Sequence, residues 1–127
     1  DYQVITSIFD GRKTIKLSKE LDVLLITSIS NPELLINEID LEVKSLTFLK
    51  FKDHHNYNEN DINYILHTYN KIKSDKSVIL TTEKDKVKLE SFIEDFTDID
   101  IYYIPISITK NNQKEFKKEI LKYVESN

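Results

Sequence analysis

Short apolar runs alternate with amphipathic stretches along most of this chain. Residues 22–28 (DVLLITS) and 77–81 (SVILT) are unbroken apolar runs, which are typical of strands buried on both faces of a sheet. Residues 43–51 and 100–106 predict two further strands, and a stripe at helical spacing runs through residues 62–72. The alternation predicts a Rossmann-like three-layer α/β/α sandwich, with a four-stranded parallel sheet and helices on both faces.

Polar residues able to cap a helix precede three of the predicted helices. Such side chains satisfy backbone N–H groups that the first turn leaves without partners. These helix starts are Asn58 with Asp61, Thr82 with Asp85 (a helix through about residue 93), and Asn112 with Glu115. A further helix is predicted to start at Asn31-Pro32, with Pro in its first turn.

Residues 2–9 and 12–17 are β-prone runs that flank Asp10-Gly11. An Asp-Gly pair in this setting predicts a β-hairpin with a tight type I′ turn, which needs positive φ at both central residues. The hairpin precedes the β-α alternation, so we expect residues 1–17 to form a linker arm and residues 18–127 to form the α/β domain.

Length and composition indicate one domain with a real core. The chain has 127 residues, 39% of them hydrophobic, a net charge of −4 and no cysteine. The charge favours neither nucleic acid nor an anionic membrane as a partner, and no apolar run has the length of a membrane span. The chain begins at Asp1, without Met, inside a predicted strand, so we expect a fragment of a longer protein.

Polar residues follow the predicted strands, and parallel sheets bind ligands outside the carboxyl ends of their strands. Helix capping accounts equally well for several of these residues. The candidates are Ser28 and Asn31 after the first strand, Asp53, His54 and His55 after the second, and Thr81, Thr82, Glu83, Lys84 and Asp85 after the third.

The Asp53-His54-His55 cluster allows three interpretations. Neighbouring side chains in an extended loop point in opposite directions, so one histidine can face the sheet edge while the other packs or faces solvent. A histidine there suits proton transfer, but a polar loop and a metal site remain alternatives. No third ligand stands at a recognisable spacing, so we expect no metal site, and we assign His67 to the surface.

Lys84 lies at a predicted helix start, where a phosphate could bind. An ion pair between Lys84 and a carboxylate of the same turn is an equal alternative. The chain has one glycine and no G-x-x-x-x-G-K-[ST] motif, so it cannot by itself cradle a nucleotide triphosphate as a P-loop does.

The segments "DVLLITSISNP", "FKDHHNYNENDI", "VILTTEKDKVKL" and "YYIPI", in this order, resemble the carboxyl-terminal part of tetraacyldisaccharide 4′-kinase. The resemblance implies an ATP-dependent kinase that phosphorylates the lipid A precursor disaccharide at the cytoplasmic side of the inner membrane of a Gram-negative bacterium. It also implies a missing amino-terminal P-loop domain, which binds ATP, Mg²⁺ and most of the lipid, joined through a two-stranded linker.

In that family an Asp-His pair, matched here by Asp53 and His54, works with an aspartate of the other domain to activate the sugar hydroxyl. The resemblance assigns the "TTEKD" residues a role in shaping the site. This chain departs from the family at two positions. Lys52 replaces the usual Pro, which should loosen the loop. Ser28 replaces the usual Gly, so a close approach of a ligand to the backbone is not a strict requirement there.

Two other classes stay open. A metal-dependent phosphoesterase could use Asp-His-His as ligands, but its further aspartates would have to be Asp98 and Asp100, which precede a strand and so lie at the wrong edge. A binding module without chemistry is the other. On the kinase interpretation this fragment alone is expected to be inactive, with no tightly bound cofactor.

Overall fold

The computed structural model describes residues 4–105, so the predicted closing helix from Asn112 lies outside the described part. The elements in chain order are β1 (Val4–Ser7), β2 (Thr14–Lys16), β3 (Asp22–Thr27), α1 (Glu33–Asp40), β4 (Ser45–Lys50), α2 (Glu59–Ile72), β5 (Ser77–Thr82), α3 (Glu83–Leu89), a 3₁₀ helix (Glu90–Phe96) and β6 (Ile101–Ile104). The helix predicted from residue 82 to about 93 is therefore α3 followed by 3₁₀ geometry.

The predicted α/β class and its four parallel strands are confirmed. The strand order is β2-β1-β6-β5-β3-β4, and β6, β5, β3 and β4 pair in parallel. The predicted strands in residues 22–28 and 77–81 form the middle of the sheet, and all six residues of β5 are buried.

The predicted strand count was wrong, because the sheet has six strands and not four. The hairpin does not stand apart from the sheet: β1 pairs antiparallel with β6, with Thr6 opposite Tyr103. A sheet that ended at β6 would leave the backbone groups of that strand unpaired, and β1 satisfies them. Ile5 and Leu17 are accordingly buried in the core.

The predicted type I′ turn was also wrong. Asp10 and Gly11 lie in a longer connection, closed by a hydrogen bond from the Lys13 amide to the Asp10 carbonyl at 3.0 Å, and Gly11 does not have a positive φ. The Asp10 carboxylate accepts a bond from the Arg12 amide at 2.9 Å, so this side chain stabilises the turn instead.

Helices cover both faces of the sheet and create two cores. On one face, Leu35 and Ile39 of α1 pack over the alternate positions Val23 and Leu25 of β3. On the other face, α2, α3 and the 3₁₀ helix pack over the intervening positions, including Leu24 and Ile26. The side-chain period of two along a strand divides the residues between the two layers.

The parallel register brings the carboxyl ends of the central strands to one edge. Thr27 lies opposite Lys50, Ile26 opposite Thr81, and Thr82 opposite Ile104. The loops that carry the candidate residues therefore begin at the same edge of the sheet.

Burial of the hairpin predicts a large stability cost when Ile5 is truncated. Ile5 is 0% exposed, whereas its neighbour Val4 is 47% exposed. Ile5→Ala should lower the free energy of unfolding by about 2–5 kcal/mol, and Val4→Ala, the control, by about 0.5 kcal/mol or less. Urea denaturation measures both, and an equally small effect of the two substitutions would show that the hairpin is not part of the core.

Candidate functional site

The loop after β4 presents Asp53 and His54 at the centre of a tight turn. The His55 amide donates to the Lys52 carbonyl at 2.9 Å, which closes the turn. His54 has a φ of 60°, a left-handed conformation that costs a residue with a β-carbon about 1–2 kcal/mol. Such strain is found preferentially at functional sites.

The His54 side chain is 74% exposed and has charged neighbours beside both ring nitrogens. Its Nε2 lies 3.7 Å from the Asp53 carboxylate, and its Nδ1 lies 3.5 Å from Lys84 Nζ. Both contacts are long for hydrogen bonds. The Lys84 contact nevertheless joins the Asp-His-His loop to the "TTEKD" segment, two motifs that sequence analysis could place only at the same edge.

His55 packs into the protein while His54 faces solvent, which is the predicted division, but the backbone here is a tight turn with a left-handed residue and not the extended loop on which the prediction rested. Its side chain is 26% exposed and its Nε2 lies 2.7 Å from the Asp61 carboxylate. The ring packs against Phe51 in a tilted arrangement and against Tyr57 edge to face, with centroids 5.1 Å and 5.3 Å away. The imidazole of His55 thus anchors the loop whose tip carries His54.

Asp61 serves the loop and helix α2 together. Its backbone amide donates to the Asn58 side chain at 2.9 Å, and its carboxylate accepts from the Asn58 amide at 3.0 Å. This is the predicted capping arrangement. Burial opposes ionisation, but the bonds from His55 and Asn58 outweigh it and hold the pKa of Asp61 below its ordinary value.

Asp85 lies beneath the loops, fully buried at 0% exposed. Hydroxyl groups of Thr27, Ser28, Tyr57 and Thr82 donate to its carboxylate at 3.0, 2.5, 3.0 and 2.7 Å. The Ser28 amide adds a fifth bond at 3.1 Å. Thr82 also accepts from the Asp85 amide at 3.2 Å, which confirms the predicted helix cap.

The other predicted site residues divide into interior and surface positions. Ser28 and Thr82 point to Asp85, and the buried Thr81 hydroxyl donates to the Ile26 carbonyl at 2.8 Å. Glu83 is half-buried and interacts within the fold. Asn31 is exposed and precedes α1, whose first turn has no side-chain cap, and it lines a separate cavity of about 240 Å³.

Sequence reasoning missed three residues that hold this site together. Thr27 and Tyr57 bind Asp85, and Lys88 Nζ donates to the His55 carbonyl at 2.8 Å. The spacing from Asp85 to Lys88 places both on neighbouring turns of α3. No local pattern in the sequence marks any of the three as a site residue.

Within residues 4–105, no group of three or more His, Cys, Asp or Glu side chains is arranged to hold a metal ion. No helix of the same range has both the length and the apolar character that a membrane crossing requires.

The fold and the strand-end loops define an α/β domain with a candidate ligand edge at the carboxyl ends of its parallel strands. The model of the Tetraacyldisaccharide-1-P 4′-kinase family matches residues 4–125, and the chain belongs to this family.

Curated relatives carry the name tetraacyldisaccharide 4′-kinase. The protein of Bacteroides fragilis is 33% identical over 91% of this chain and 32% of its own length. That of Flavobacterium psychrophilum is 34% identical over 94% of this chain and 33% of its own length, and that of Parabacteroides distasonis is 29% identical over 98% and 36%. The chain thus spans about a third of the relatives it matches, and no solved structure matches it.

The His55–Asp61 contact predicts a measurable change in the titration of Asp61. Because its folded pKa is depressed, Asp61 adds stability that is present above the unfolded pKa and is lost as pH falls through the folded pKa. His55→Gln should raise the pKa of Asp61 and reduce this loss of stability in acid. Carbon-13 NMR of the carboxyl groups measures the shift.

Asp22 is the internal control for that titration. Hydrogen bonds from Ser45 and Ser74 lower its pKa at the far edge of the sheet, so its titration should be the same in both proteins. An unchanged Asp61 pKa in the His55→Gln protein would contradict the prediction.

Proposed function

We propose that this chain is the carboxyl-terminal α/β domain of a tetraacyldisaccharide 4′-kinase, and that it contributes Asp53 and His54 to an active site shared with another domain. The family match supports the first part. The share of about a third of each relative supports a larger parent protein.

The exposure of His54 carries the second part. Its side chain is 74% exposed while that of His55 is 26% exposed and paired with Asp61. Of these two histidines, only His54 can reach a substrate without breaking the anchor of the loop. The left-handed backbone at His54 fits a side chain held out for function at a cost in stability.

The neighbours of the imidazole favour one tautomer. A lysine ammonium can only donate, so Lys84 favours a lone pair on Nδ1, and a carboxylate can only accept, so Asp53 favours the proton on Nε2. Because the Nδ1 lone pair faces Lys84 Nζ at 3.5 Å, a substrate hydroxyl would have to displace the ammonium from Nδ1 before giving its proton to that nitrogen. The imidazolium that forms would have the opposite charge of Asp53 at 3.7 Å from Nε2 and the like charge of Lys84 at 3.5 Å from Nδ1.

The substrate hydroxyl would be that of the lipid A precursor disaccharide, at the 4′ position. When His54 takes its proton, the oxygen becomes a better nucleophile toward the phosphoryl group. In the parent enzyme this reaction would take place at the cytoplasmic face of the inner membrane of a Gram-negative bacterium.

The residues of this chain do not fit a nucleotide cradle. Gly11 is the only glycine among the 127 residues, and it lies in the hairpin turn, beyond Ser7, at the edge where β6 begins. We therefore assign ATP, Mg²⁺ and most lipid contacts to an amino-terminal P-loop domain of the same protein, with residues 1–17 as the linker.

The phosphoesterase alternative receives no support from the aspartates it would need. Asp100 precedes β6 at the edge opposite His54, and its carboxylate lies 3.8 Å from Lys13 Nζ. Asp98 lies two residues earlier. Neither shares an edge with Asp53, so neither can complete a metal site with the Asp-His-His loop.

Loss of the His54 imidazole should slow the full-length kinase at the chemical step. His54→Ala should lower kcat by roughly 10²–10⁴-fold, the usual cost of a lost general base, with a much smaller change in KM. Asp53→Asn should lower kcat less, because Asp53 orients the ring. Steady-state kinetics of the purified enzyme measures these effects.

His67→Ala is the matched control, because His67 is exposed on α2 away from the loop. It should leave kcat unchanged. A wild-type rate in the His54→Ala enzyme would end the proposal.

The isolated 127-residue chain should neither hydrolyse ATP nor transfer phosphate, because it lacks a P-loop lysine and a glycine-rich cradle. NMR titration with Mg·ATP should perturb at most loops 28–31, 52–56 and 81–85, without saturation below the millimolar range.

Zn²⁺ and Mn²⁺ should bind to the isolated chain no better than to scattered surface carboxylates. Turnover by the purified chain, or a stoichiometric submicromolar metal site that His54→Ala removes, would contradict these expectations.

A further inference from the structure

Asp85 is a buried carboxylate that receives five hydrogen bonds from three separate parts of the chain. Thr27 and Ser28 reach it from the end of β3, Tyr57 from the segment after the Asp53-His54 turn, and Thr82 from the end of β5. Three of the donors face one carboxylate oxygen and two face the other, and an ionised carboxylate meets them with acceptors only. An asparagine in place of Asp85 would turn its NH₂ group, itself a donor, toward some of these donors, and those hydrogen bonds would be lost.

Tyr57 links this network to the His54 loop. Its hydroxyl donates to Asp85 at 3.0 Å, and its ring packs against Phe51 and His55 with centroids 5.0 Å and 5.3 Å away. Burial, together with the charge of Asp85, raises the pKa of the Tyr57 hydroxyl above its ordinary value. The hydroxyl therefore remains a donor.

Helix α3 holds the loop at a second point. Lys88 Nζ donates to the His55 carbonyl at 2.8 Å, one helical turn beyond Asp85. The two contacts flank the backbone that follows His54, so the position of the imidazole relative to β3 and β5 depends on α3.

We propose that Asp85 is a positioning residue for His54. Through its hydrogen bond with the hydroxyl of Tyr57, Asp85 fixes the Asp53-His54 turn relative to the ends of β3 and β5. The inference rests on the proposed function, in which His54 accepts a proton. It assigns Asp85 no contact with substrate or nucleotide, because the carboxylate is fully buried.

Tyr57→Phe tests the link with the smallest change. The ring and its packing stay, and only the hydroxyl that joins the loop to Asp85 is lost. In the full-length kinase this variant should lower kcat by about tenfold to 10²-fold, since small displacements of a catalytic group have effects of this size. KM should change by about twofold or less, because the loss falls on the transition state.

Tyr69→Phe is the matched control. Tyr69 is 4% exposed and Tyr57 is 7% exposed. The Tyr69 hydroxyl lies 2.8 Å from Ser77 Oγ and donates to the Ser77 carbonyl at 3.2 Å, at the opposite edge of the sheet. Both substitutions remove a tyrosine hydroxyl from a similarly buried side chain, so the free energy of unfolding should fall in both variants. The kcat of the kinase should fall only in Tyr57→Phe.

A second arm separates positioning of His54 from a general structural role. If Tyr57 acts through His54, Tyr57→Phe should cause no further loss of kcat in a His54→Ala enzyme. Asp85→Asn should also lower kcat, and Tyr57→Phe keeps the test valid if that variant does not fold.

The outcomes distinguish this inference from the proposed function. If His54→Ala is defective but Tyr57→Phe has the wild-type rate, the positioning role alone is overturned. The same holds if the losses of kcat in the two single variants multiply in the double variant. A wild-type rate in His54→Ala would overturn the proposed function and the positioning role with it.

Discussion

The buried carboxylate of Asp85 is the constraint on which the strand-end loops depend. A charge removed from water is costly unless hydrogen bonds replace its hydration. Here the replacement comes from Thr27, Ser28, Tyr57 and Thr82 together. A loop that moved away would leave the charge with fewer donors, so the three loops that carry these residues are held in place jointly.

The sequence predicted the parallel part of the sheet because its signals are local. The apolar runs at 22–28 and 77–81 need burial on both faces, which only a central strand provides. The place of the hairpin could not be predicted in the same way. Its alternation marks β1 and β2 as strands, but pairing of Thr6 with Tyr103 joins residues that are far apart in the sequence, and no local pattern encodes that choice.

The candidate site shows the same division between local and distant contacts. Capping of α2 and α3 by Asn58 and Thr82 was predictable, because each cap lies three residues from its partner. The role of Asp85 was not, because its partners Ser28 and Tyr57 lie 57 and 28 residues away. From sequence, Asp85 is one more acidic residue in a first helical turn, where such residues are common.

Ser28 stands where the family resemblance implies a glycine, and the fold gives the serine a physical role. A glycine at this position would suggest that a ligand approaches the backbone closely. The Ser28 amide and hydroxyl both donate to Asp85, and the residue is fully buried, so neither group is available to a ligand. A glycine could supply only the amide bond. The serine therefore adds a donor to the carboxylate that holds the loops, whereas the exposed side chain of His54 lies further out, at the tip of its turn.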